Sequence, residues 1–173
     1  MKKILLAVLM LTLALSAVTQ AQDAPPNRPE NMGVSDFDTF KNNSFDILDE
    51  STKLKTEATR IDTDVKSYSA GLASVSVDKL KADLKAIRQV GRSSKELSTR
   101  IGSLDEQGKE LLASAKSVKP MTKSPAATNN TNKSIKGLDV SRKNLNEVTE
   151  LVSTNTKFLT DELIKRGETV EED

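Results

Sequence analysis

The chain has 173 residues, with 26 Lys and Arg against 25 Asp and Glu, and it contains no His, Cys or Trp. Such a balance argues against a general nucleic-acid or membrane-surface binder, and the lack of His removes the commonest general base and the commonest transition-metal ligand together. Without Cys there is neither a disulfide framework nor a Cys-linked lipid anchor.

Lys2 and Lys3 precede an uncharged, Leu/Ala-rich run from Ile4 to Val18, and Thr19-Gln20-Ala21 places small residues at the two positions a signal peptidase inspects. This is the pattern of a secretory signal peptide over 1–21, cleaved after Ala21. The apolar run is short of the roughly 20 residues a bilayer-spanning helix needs. The expectation is an exported protein, soluble after signal cleavage and either periplasmic or secreted. The remaining chain is roughly 31% apolar, against ~45–50% for ordinary globular domains. That is too little for a thick core and enough for a thin seam between long helices.

Residues 22–34, with Pro25, Pro26, Pro29 and Gly33, read as a flexible N-terminal linker. A helical bundle domain follows over 35–167. Ser35 opens its first helix with Asp38 three residues on in the capping-box position. Apolar positions then step by three and four through Phe37, Phe40, Ser44, Ile47, Ser51, Leu54, Ala58, Ile61, Val65, Tyr68 and Leu72. The mean step of 3.5 residues is that of a seam held on a partner by left-handed supercoiling. A helix over about 35–70 is predicted, about 54 Å long, closed by Gly71 as a C-cap.

Ser76 is the next N-cap. The second seam runs through Leu80, Leu84, Ile87, Val90, Ser94, Leu97, Ile101, Leu104, Gly108, Leu111, Ala115 and Val118, giving a helix over 76–118. Gly102, followed by the capping-box-like Ser103 to Glu106, marks a place where this helix could break, but the seam crosses it without a phase change. Residues 119–131, with Pro120, Pro125 and an Asn-rich end, read as a mobile loop. The third helix is expected over 132–166, where the doublets Leu151-Val152, Phe158-Leu159 and Leu163-Ile164 widen the apolar stripe. A wider stripe suits a helix touching two neighbours. The acidic tail 168–173 should fray. The fold class is therefore all-α, an elongated up-down-up antiparallel three-helix bundle of coiled-coil character.

Motifs of reaction chemistry are sparse. Ser76-Val77-Asp78-Lys79 matches the Ser-x-x-Lys spacing of a nucleophile and its base, but no companion Ser-Asp-Asn or Lys-Thr-Gly motif occurs. Asp36-x-Asp38 and Asp62-x-Asp64 put carboxylates two apart, which do not share a helix face. No catalytic, cofactor-binding or metal-ligating residue, and no cofactor, is expected. Lys81, Lys85, Arg88, Arg92 and Lys95 step by four, three, four and three, forming one basic stripe about 20 Å long. An acidic counterpart, Asp46, Glu50, Glu57 and Asp64, lies on the first helix. Either the two flanks pair across the bundle and set its register, or the stripe is an anion- or partner-binding strip. No aromatic residue interleaves with the stripe, so a base-stacking nucleic-acid surface is not expected. The functional expectation is a non-enzymatic protein acting by protein–protein interaction, as a scaffold, a chaperone-like holder or a self-associating bundle. The alternative is a module for anionic polysaccharide, lipid head groups of a membrane surface or an acidic partner.

Overall fold

The computed structural model describes residues 24–68 and 71–171. The expected signal segment 1–21 lies outside the described residues. Three long helices, α1 (Ser35–Ser67), α2 (Val77–Ser114) and α3 (Ser124–Lys165), pack against one another in an up-down-up bundle, with no strand among the described residues. α3 packs extensively on both neighbours, as its widened stripe requires. α2 passes through Gly102 without interruption.

The seam divides into two core clusters. At one end Phe37, Phe40 and Ile47 of α1 meet Leu97 and Ile101 of α2 and Leu138 of α3. At the other, Ala58 and Ile61 meet Leu80 and Ile87 and, from α3, Val148 and Leu159. Gly108 faces the first cluster, where an added Cβ would stand 2.8 Å from Phe40 Cζ, so the aromatic ring occupies the space a side chain would need.

Most of the buried polar side chains have hydrogen-bond partners, which is what makes so polar a core tolerable, with the Thr156 and Thr160 hydroxyls as exceptions. Ser44 donates to the Phe40 carbonyl at 2.8 Å, Ser51 to Leu48 at 2.9 Å and Ser141 to Gly137 at 2.9 Å. Asn144 Nδ2 crosses to Ser51 Oγ at 3.3 Å. Asn155 Nδ2 donates to Asp62 Oδ1 at 3.2 Å and to the Leu151 carbonyl at 2.9 Å. Asn144 and Asn155 tie α3 to α1 at two defined heights and so fix their register.

Four expectations are corrected. The loop 119–131 is much shorter, because α3 begins at Ser124 with Pro125 in its first turn. There the missing N–H and fixed φ of proline suit a helix start. The Asn-rich stretch is helical: Thr131 donates to the Ala127 carbonyl at 2.8 Å, and Asn130 reaches the Glu30 carbonyl at 3.2 Å. A 3-10 turn over Met121–Lys123 makes the connection.

The segment 24–34 is a docked strap rather than a flexible linker. Asp38 accepts the backbone N–H groups of Met32 and Gly33 at 2.8 Å and of Val34 at 3.2 Å, with Gly33 at φ +72°. Lys41, only 2% exposed, donates to the Pro29 carbonyl at 3.0 Å and to Asn31 Oδ1. Met32 and Val34 pack on the first core cluster.

Gly71 does not serve as a left-handed cap. Its φ is −166°, ordinary extended backbone, and the reversal after α1 is made by the 3-10 turn Leu72–Ser74. Arg166 braces that turn from α3, donating to the Leu72 carbonyl at 2.6 Å and also to the Val75 carbonyl.

Finally, the tail does not fray over 168–171 but folds onto α2. α3 ends in a Schellman motif, with Glu168 N–H bonded to the Leu163 carbonyl at 3.0 Å and Gly167 N–H to Ile164 at 2.9 Å. Gly167 supplies the required positive φ of +82°.

Candidate functional site

The five stripe residues stand on α2, whose N-terminus is fixed by Ser76. Its hydroxyl accepts the Lys79 N–H at 3.2 Å, so the Ser-x-x-Lys pair acts here as a helix cap. Lys79 itself pairs with Asp83 at 2.6 Å and lies 3.7 Å from Asp64. Tyr68 donates its hydroxyl to the same Asp83. Burial, and then the bond to Asp83, push the Tyr68 phenol above its usual range. The hydrogen bond to Asp83 raises the Lys79 ammonium.

The acids of the α1 flank are engaged outside the stripe. Those acids have other partners: Asp46 meets Arg28 of the strap at 2.6 Å, Glu50 meets Arg100 at 2.6 Å, and Glu57 and Asp64 meet Arg60 at 2.7 and 2.9 Å. The stripe instead faces outward beside α3. Lys81, Lys85, Arg88 and Arg92 line one groove of about 430 Å³, floored by Leu84 and Leu163 and closed on its far side by Thr169, Val170 and Glu171 of the tail. Lys95 falls outside it, in a neighbouring hollow of about 370 Å³ along the α2–α3 crease, with Gly91, Ser94 and Val152. Four of the five candidate residues are thus brought to one site, and the fifth extends the same line.

The tail residues are the part of the site that sequence reasoning missed. Lys81 Nζ pairs with Glu168 at 2.6 Å, and Arg88 Nη1 donates to the main-chain carbonyl of Glu171 at 2.8 Å. Val170 packs on the second core cluster. Gly167 just past the last apolar residues, followed by acids and one valine, was a signal for such a return. Chemically the groove offers cations around an apolar floor, an arrangement suited to holding an anionic ligand. Among the described residues no group of three or more Asp and Glu is placed to hold a metal ion, and no helix is long and apolar enough to cross a membrane. No family model, curated protein or solved structure matches this chain.

Proposed function

We propose that this is a non-enzymatic, exported binding protein of the bacterial envelope or extracellular space, and that its working surface is the basic groove between α2 and α3. The observation carrying this reading is the convergence of Lys81, Lys85, Arg88 and Arg92 on one groove with an apolar floor. These cations ring Leu84 and Leu163 and already hold an acidic segment, the tail, through Lys81 and Glu168. The partner is anionic: an acidic protein, an anionic polysaccharide or a lipid head group all offer the required charge. A scaffold or holder role is compatible with this. Self-association through the seam draws less support, since the large apolar side chains left well exposed among the described residues are Met121 and Ile164, and scattered single apolar residues need no partner.

The test uses the chain from Gln22 to Asp173 and three multivalent anionic probes: poly-glutamate, heparin and phosphatidylglycerol vesicles. Binding to at least one should weaken as salt rises, because exposed charges are screened beyond about 8 Å at physiological ionic strength. The variant carrying Lys85→Glu, Arg88→Glu and Arg92→Glu should bind at least about tenfold more weakly, a difference of about 1.4 kcal/mol. A wild-type chain that ignores all three probes at low salt removes the proposal.

A further inference from the structure

We infer that the groove recognises an extended acidic peptide segment of a partner protein, and that this chain's own Glu168–Glu171 occupies the site until that partner displaces it. This deepens the reading of the groove as the working surface and rests on it.

The tail shows what the groove accepts. After the Schellman turn at Gly167 the chain reverses and runs along α2, from Lys81, which holds the Glu168 carboxylate at 2.6 Å, to Arg88, which holds the Glu171 carbonyl at 2.8 Å. An extended run from residue 168 to 171 covers roughly 10 Å, and seven residues of helix from 81 to 88 rise about 10 Å. The two cations are therefore spaced for consecutive contacts along an extended chain. Between them Val170 turns inward beside Leu84 and Leu163, while the Glu168 carboxylate and the Glu171 carbonyl meet the cations.

The contact from Arg88 shows how the groove holds the occupant it has. It is made to a main-chain carbonyl, so the tail is held by its backbone as well as by the charge of Glu168. The inward Val170 adds an apolar side chain to that main-chain contact. The pattern held by the groove is an acid at Glu168, an apolar residue at Val170 and a main-chain carbonyl at Glu171, which together are the pattern of a peptide.

The tail is held loosely enough to leave. Lys81 and Glu168 are 48% and 32% exposed in their pair, and such wet ion pairs exchange readily. What the tail has in its favour is tethering, since a short flexible connection supplies a local concentration in the millimolar range. A partner segment longer than the tail's described stretch gains a further contact, because Lys95 continues the cationic line into the next hollow along the crease. Such a segment would bind by displacement, and the tail sets the threshold for it.

The experiment measures fluorescence anisotropy of a labelled peptide in which the sequence of residues 168–173 is repeated twice. It is titrated with the chain from Gln22 to Asp173, with the same chain ending at Gly167, and with full-length Glu168→Gln. Removal of the tail should tighten binding by about tenfold or more, as expected when a tethered competitor is lost, and Glu168→Gln should tighten it by a smaller factor. Arg88→Glu should abolish binding in the truncated chain. Should truncation disturb folding, seen as a lowered Tm, the full-length Glu168→Gln variant decides alone: tighter binding supports the inference and unchanged binding overturns it. Equal affinity of full-length and well-folded truncated chains overturns it too. A truncated chain that binds heparin or phosphatidylglycerol vesicles but not the peptide overturns the peptide assignment while leaving the groove as the working surface. A truncated chain that binds none of the probes removes both.

Discussion

Both ends of this bundle receive a segment of chain from outside the helices, and they hold it differently: the strap adds buried anchors to its exposed Arg28 ion pairs. The strap 24–34 is fixed by groups taken out of water: Lys41, 2% exposed, reaches into it, Asp38 accepts three of its N–H groups, and Asn130 meets the Glu30 carbonyl. The tail 168–171 is fixed by a wet ion pair, one arginine-to-carbonyl bond and one valine. A buried donor whose acceptor leaves is stranded, whereas an exposed one returns to water. The strap is therefore part of the fold, and the tail is a contact that can be exchanged.

The sharpest way to break the contrast is to remove what the strap rests on. Phe40→Ala empties a fully buried site between the strap end of α1 and Gly108 and should cost about 3–5 kcal/mol, read as a shift in the urea midpoint. Lys41→Ala leaves the Pro29 carbonyl without its donor and should cost about 1–3 kcal/mol. Limited proteolysis of this variant should show faster cleavage within 24–34. Alkaline pH loads the other end. Tyr68 and Lys79 both have folded pKa values above their ordinary 10.0 and 10.5, so the stability they contribute is complete below those values. It is lost as pH climbs through the raised ones. The thermal midpoint should fall above pH 10, and Tyr68→Phe should make that fall shallower. Smallest is Glu168→Ala, about 0–1 kcal/mol and vanishing at high salt, as for an exposed ion pair. A loss as large as that of Lys41→Ala would erase the contrast.

The helices and their mutual packing were legible because a three-and-four rhythm needs only one-dimensional information. Positions such as Phe40, Ile61, Leu80 and Ile87 stand in the core where the spacing puts them. The boundaries failed where composition and context disagree. Asn129 to Asn132 read as a loop from intrinsic preference, yet Thr131 satisfies its hydroxyl within the helix, and Asn130 finds an acceptor in a strap a hundred residues earlier in the chain. Lys41 gave no sign of burial, since nothing local reveals that a carbonyl from Pro29 will cover it. For the site, the cations were legible from their spacing on one helix. Their occupant was not, because its contacts span more than eighty residues.

Asn130, which anchors the strap, and Leu163, on the groove floor, stand on the same helix about 50 Å apart. Fields fade over about 8 Å in physiological salt, and no charge at one site is felt at the other. α3 is thus a spacer rod with two separate fittings, whose variants should combine additively to within a few tenths of a kcal/mol.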